Sequence, residues 1–117
     1  MAHPTFAKIP ACVSDPSTDD LDGWKKVSGD PTMKTWVEYT SEDGTLLAGW
    51  WAATPGVYHA TYAAWEYVHI IKGRITITPD GGEPYDVGPD DVFVVEADFA
   101  GTWEIEEEVL KHFVVRT

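Results

Sequence analysis

The sequence predicts an all-β domain, a double-sheet jelly-roll barrel carrying an extended N-terminal arm. Three observations predict it. From Lys34 onward, short runs rich in β-branched and aromatic residues alternate with turn chemistry at intervals of roughly 8–12 residues, as in sandwiches and barrels. Several of the turns are explicit, "PDGG" being the strongest: Pro79 stiffens it, and Gly81 and Gly82 accept positive φ. No stretch holds a 3.6-residue apolar period, so little helix is expected.

The elements follow in order. Residues 1–32 carry Pro4, Pro10, Pro16 and Pro31 and the acidic string Asp19, Asp20 and Asp22, which predicts a mostly irregular arm. Its apolar residues Phe6, Ile9, Val13 and Leu21 predict packing along a surface, either of its own barrel or of a second subunit. The barrel domain is placed at residues 33–117. There "TWVEYT" runs into the turn "SEDG", "LLAGWWAA" into "TPG", and "VYHATY" into "WEYVHIIK", Gly73 and "RITIT". After "PDGG" come "PYDV", the turn "GPDD", "VFVVEA", "GTWEIE" and "VLKHFVVRT". About nine short strands in one domain fit a jelly roll.

Composition narrows the functional classes. The 117 residues are 44% hydrophobic and 13% aromatic, enough for one core without staples. Six tryptophans are more than a core of this size needs, so an interface or a ligand pocket is expected to use some of them. Eight basic residues against 20 acidic ones leave a net charge of −12, which repels nucleic-acid backbones and anionic membranes and otherwise serves solubility. Cys12 is the only cysteine, so neither an internal disulfide nor a thiolate zinc cluster can form. No basic start precedes an apolar run, and no segment reaches the ~20 apolar residues of a membrane span, so a cytoplasmic location is expected.

Glu66, six intervening residues and Gly73, followed by "RITIT", "DVGPDDVFVVEADFAGTWEI" and "KHFVV", resemble a small single-domain cupin, a double-stranded β-helix of the RmlC-like type. The resemblance covers Trp36 to Arg116. More narrowly, these residues are similar to the subgroup related to the C-terminal part of (S)-ureidoglycine aminohydrolase. That resemblance implies a divalent metal held by two histidines one residue apart, a glutamate and a later histidine. Mapped onto this chain, the glutamate is Glu66. The paired histidine positions fall on Ala60 and Tyr62, or with a longer spacing on His59 and Thr61. The later proline-x-glycine turn is replaced by Glu96 to Asp98, and the last histidine position falls on Gly101. At best two of the four ligands survive, so no metal site is assigned and no cofactor is predicted.

Strand alternation sorts the remaining candidates. Glu66 shares its face with Tyr62, Ala64, Val68 and Ile70, whereas His59 and His69 fall on the opposite one. His112 lies on another strand and is free to face either way. Trp103 lies two residues beyond the lost histidine position and shares its face, Tyr58 has the parity of Tyr62, and one of Trp50 and Trp51 must point inward. The candidate site is therefore Glu66 as the acid–base residue, with Tyr58, Tyr62, Trp51, Trp103 and His112 around a ligand. Indole and phenol donors can satisfy a buried carboxylate, burial suits a carboxyl group to proton transfer, and aromatic walls suit an ammonium or guanidinium.

Two readings stay open at this level: a filled core with one satisfied polar group, or a pocket for a small molecule. The functional expectations are a small-molecule-binding cupin without the usual metal, a metal-dependent enzyme acting on C–N bonds of a nitrogen-rich compound, or a non-catalytic structural or regulatory domain. Whether it is an enzyme stays open. A homodimer is expected, because exposed sheet edges invite pairing and the arm offers an element to exchange.

Overall fold

The computed structural model describes residues 6–117; Pro4, counted above in the arm, lies outside them. Eight strands form a single rolled sheet: β1 (Trp24–Ser28), β2 (Met33–Thr40), β3 (Leu46–Ala53), β4 (Gly56–Thr61), β5 (Trp65–Pro79), β6 (Tyr85–Val87), β7 (Val92–Val95) and β8 (Ala100–Arg116). One path runs β1-β4-β8-β3-β2, and β5 joins it through β8 while also pairing β6 and β7. All pairings are antiparallel. Among the described residues no helix is long and apolar enough to cross a membrane.

The strand count differs from the expectation at three places. "WEYVHIIK" and "RITIT" are one strand, β5, and "GTWEIE" and "VLKHFVVRT" are one strand, β8. Each reads as two because alternation is interrupted midway. In β5 the buried positions are the even ones at Glu66, Val68 and Ile70, then the odd ones at Ile75 and Ile77. The β5–β8 register slips three times between Ile70 and Ile75, so a local bulge reverses which parity points inward. Gly73 sits in this bend with φ 93°, where a Cβ would lie 2.3 Å from the Glu108 carbonyl oxygen. No side chain fits there, which accounts for the glycine that follows Glu66 after six intervening residues.

The third difference is β1, a strand inside the arm. Trp24 pairs Ala60 on β4, and Gly23, at φ 83°, makes the close entry possible. The arm also docks on its own barrel. Ser17 and Thr35 exchange both backbone hydrogen bonds at 2.9 Å, and the Trp50 indole N–H donates to the Pro10 carbonyl at 2.9 Å. Two apolar arm residues do not pack as expected: Phe6 is 80% exposed and Val13 73% exposed.

The turn "SEDG" shows how local chemistry closes the β2–β3 hairpin. Asp43 Oδ1 accepts from Ser41 Oγ at 2.7 Å, Thr45 Oγ1 at 2.8 Å and Thr45 N at 3.1 Å, while Gly44 takes φ 77°. These donors, Ser41 foremost, hold the Asp43 carboxyl down to about 2. Its folded-state value lies below the unfolded one, so its contribution to stability is present above pH ~4. That contribution is lost as the pH falls through about 2. A carbon-detected NMR titration is expected to place the Asp43 midpoint near about 2; a midpoint in the ordinary aspartate range would show that the turn does not hold in solution.

The core lies inside the roll. Its largest fully buried side chains include Trp51, Trp103, Tyr58 and Lys111. A lysine in that company leads directly to the site.

Candidate functional site

Glu66 enters the barrel from the start of β5, between Trp65 and Tyr67, and is 5% exposed. Its two carboxylate oxygens have separate partners. The Tyr62 hydroxyl donates to Oε1 at 2.7 Å, and Lys111 Nζ donates to Oε2 at 2.9 Å. Tyr62 is held in the β4–β5 loop by its own backbone, donating to the Phe99 carbonyl at 2.9 Å and accepting from Asp98 N at 2.8 Å. Asp98 stands at φ 72° in the turn that replaces proline-x-glycine, a conformation aspartate tolerates better than most residues.

Lys111 is the feature that sequence reasoning missed. It sits on β8 opposite Trp51 and is 2% exposed. Its ammonium lies 4.6 Å from the Trp51 ring, 4.7 Å from Trp103 and 5.8 Å from Trp24. A carboxylate and three indole faces therefore surround one cation. Burying the two ions costs several kcal/mol each, and desolvated cation–π contacts of about 2 kcal/mol offset part of it. Burial pulls the lysine pKa below its ordinary value, and the Glu66 charge restores part of the loss. Tyr62 is pushed the other way: burial, then the adjacent carboxylate, raise its pKa well above that of a free phenol, so it remains a neutral donor.

The aromatic residues form one contiguous cluster. Trp24 meets Trp103 at 5.0 Å and Trp51 at 5.3 Å between ring centroids, and Tyr62 stacks on Trp103 at 6.4 Å with 20° between planes. Trp51 points inward and Trp50 outward. Tyr58 is fully buried behind this cluster, 5.7 Å from Trp24, and its hydroxyl reaches Asp20 and the Pro31 carbonyl at 3.1 Å each, away from Glu66.

The structure does not bring His112 to the site. Lys111 takes the inward position, so its neighbour His112 faces outward, against Trp50 at 4.8 Å and across from His69. Partial burial and the neighbouring His69 lower its pKa. His59 and His69 also lie on the outer face, paired with Asp80 at 3.0 Å and Asp90 at 3.4 Å.

A chamber of about 220 Å³ adjoins the pair, with Thr35, Trp51, Glu66, Lys111, Phe113 and Val115 among its walls. Leu21 and Val37, 37% and 44% exposed, carry it to the surface. It has room for a molecule of a handful of non-hydrogen atoms, smaller than the roughly 300–1,000 Å³ sites that take drug-sized ligands. The Thr35 hydroxyl is buried and has no protein hydrogen-bond partner. A larger cleft of about 570 Å³ is bordered by Tyr85, Phe93 and Phe99. Neither Glu66 nor Lys111 lines it; both line the smaller chamber.

A family model, the EutQ-like cupin domain, matches residues 40–113. The chain belongs to the EutQ-like cupin family. Solved structures agree on the fold. The EutQ protein of Clostridium difficile superposes with a TM-score of 0.65 at 15% identity, covering 74% of this chain and 63% of that one. A DUF861-family protein of Pseudomonas syringae gives 0.71 at 22% identity, covering 86% and 43%. A putative ethanolamine utilization protein Q of Salmonella typhimurium gives 0.62 at 13% identity, covering 94% and 98%. This chain thus spans less than two thirds of the first two relatives. No curated protein matches it. The cupin expectation stands, whereas the narrower likeness to ureidoglycine aminohydrolase is not what the family match returns.

This EutQ-like cupin does not present the donors of a metal-holding cupin. Glu66 is engaged on both oxygens, one of them by an ammonium group. A side chain at Gly101, the last histidine position, would start 2.5 Å from the Thr78 carbonyl oxygen and 2.7 Å from the Phe99 ring. Ala60 is fully buried in the core, and Tyr62 is committed to Glu66. Among the described residues no three or more His, Cys, Asp or Glu side chains converge as metal ligands would.

Three site residues went unrecognised in the sequence. Trp24 in the arm and Thr35 on β2 lie outside the family resemblance. Lys111 did carry a signal: it is an even number of residues from Trp103, so alternation along β8 places it inward.

Proposed function

We propose that this protein binds a small molecule beside the Glu66–Lys111 pair, without a catalytic metal, and moves a proton through that pair. The carrying observation is a buried carboxylate–ammonium pair that opens on a 220 Å³ chamber. The chain's own lysine occupies the aromatic cage, so an external ammonium or guanidinium has no place there. The ligand class that fits is compact and largely apolar, with one oxygen acceptor, a carbonyl or carboxyl, within reach of Lys111 and the Thr35 hydroxyl. Low dielectric strengthens both interactions and brings the ion pair closer in energy to the neutral amine–acid pair, which is what proton transfer requires.

Tryptophan fluorescence tests this, because Trp51 borders the chamber, and the rings of Trp24 and Trp103 pack against Trp51. Titration with short-chain acids, aldehydes, ketones, amines and ureides is expected to give a saturable change with the carbonyl and carboxyl compounds. Filling the chamber with Leu47→Trp should abolish it. If no compound perturbs the emission, the chamber is part of the core. The competing reading, a metal-dependent enzyme acting on C–N bonds as the likeness to ureidoglycine aminohydrolase implies, requires a stoichiometric divalent ion. Finding one in protein purified without nickel affinity would overturn the metal-free reading.

A further inference from the structure

We infer that Lys111 is a covalent site, an amine that forms a reversible imine with a small aldehyde or ketone admitted to the chamber. The inference rests on the reading that the chamber admits a ligand, and it adds the chemistry and the substrate class. Three observations carry it. Lys111 is the only lysine that reaches a chamber wall among the described residues while being shielded from bulk water, at 2% exposure. A carboxylate lies 2.9 Å from its nitrogen, oriented by the Tyr62 hydroxyl on the other oxygen. A buried hydroxyl, Thr35, lines the same chamber with no protein partner, so a polar atom of a guest would satisfy it.

The step balances within these residues. Lys111 first passes a proton to Glu66, leaving a neutral amine beside a carboxylic acid. The nitrogen lone pair then forms a bond to the carbonyl carbon, and the carbonyl π electrons move to its oxygen, which takes the proton that the attacking nitrogen releases, so that Glu66 stays protonated beside a neutral carbinolamine. Thr35 is placed to donate a hydrogen bond to that oxygen. The carbinolamine next loses its hydroxyl as water, with Glu66 supplying the proton, and an iminium ion remains. One water leaves, no oxidant or reductant is needed, and Glu66 ends as a carboxylate. The iminium carries the charge the ammonium had, so the buried pair stays compensated. The indole faces that hold the ammonium hold the iminium equally. A lysine whose charged form is disfavoured by burial is the kind that serves as an imine-forming nucleophile.

The probe is propionaldehyde with cyanoborohydride at neutral pH, read by intact mass and peptide mapping. Reduction converts the imine to a stable propyl-lysine. Lys111 is expected to be modified severalfold faster than the exposed Lys25 and Lys34, because burial favours its neutral amine and the adjoining carboxylate accepts its proton. Thr35→Val, which keeps the shape of the side chain, is expected to slow labelling of Lys111 and leave that of Lys25 unchanged. Labelling of Lys111 no faster than Lys25 would overturn the inference. The two proposals separate cleanly. Fluorescence that responds to propionaldehyde without trapping at Lys111 keeps the binding reading and removes the imine; no trapping, with no response to any compound of the panel, removes both.

Discussion

Truncating Lys111 to alanine is expected to lower the stability of the fold by about 3–5 kcal/mol, the cost of leaving a buried charge without its partner. Glu66 would keep only the Tyr62 hydroxyl, and the space between Trp51 and Trp103 would open. Neutralising both residues, Lys111→Met with Glu66→Gln, is expected to recover most of the loss. Buried ion pairs replaced by groups of similar volume are commonly neutral or stabilising, because the desolvation penalty disappears with the charges. Urea unfolding of the wild type, Lys111→Met, Glu66→Gln and the double variant completes the cycle, with a coupling at the upper end of about 0.5–3 kcal/mol expected. Lys111→Met also gives the single-variant loss if Lys111→Ala does not fold. A Lys111→Ala midpoint equal to that of the wild type would mean that the pair is not buried in solution.

The second large effect is expected at Trp103. It is fully buried and touches Trp24, Trp51, Tyr62 and Phe93 as well as the lysine ammonium. Trp103→Ala removes that shared wall and leaves a cavity, for which a loss of about 3–5 kcal/mol is expected. Trp103→Phe is expected to cost far less, below about 1.5 kcal/mol, although it also removes volume. The reason is polar. The Trp103 indole N–H is buried with no protein partner, and phenylalanine removes a donor whose desolvation opposes folding by about 1–3 kcal/mol. Thermal unfolding of both variants decides it. A Phe variant as unstable as the Ala variant would show that the indole nitrogen does have a partner.

Much of the barrel was legible because alternation is a local rule. It turned Tyr62, in the β4–β5 loop, and Glu66, on β5, to one side, set His59 and His69 on the other, and required one of Trp50 and Trp51 to face in. It failed at two bends. Where β5 passes Gly73 the inward parity reverses, and where β8 passes Glu106 to Glu108 three exposed residues interrupt the pattern, so each long strand read as two. The second break also hid Lys111, whose inward position follows from Trp103 only if the two halves of β8 are one strand. His112 was assigned to the site for the same reason: without that continuity either neighbour can take the inward place.

The sequence carried the chemistry of the site without its assembly. Residue types and spacing established an all-β barrel, an inward carboxylate, aromatic walls, and a histidine set that does not match a cupin metal site. They also indicated that those walls suit an ammonium. Which ammonium was settled by packing. Lys111 and Glu66 are 45 residues apart and Trp24 comes from the arm, so their meeting depends on β8 lying beside β3 and β5 and on β1 adding to β4. Local periodicity reports which way a side chain points from its own strand. It holds no information about which strand lies opposite, and here the opposite strand supplies the cation.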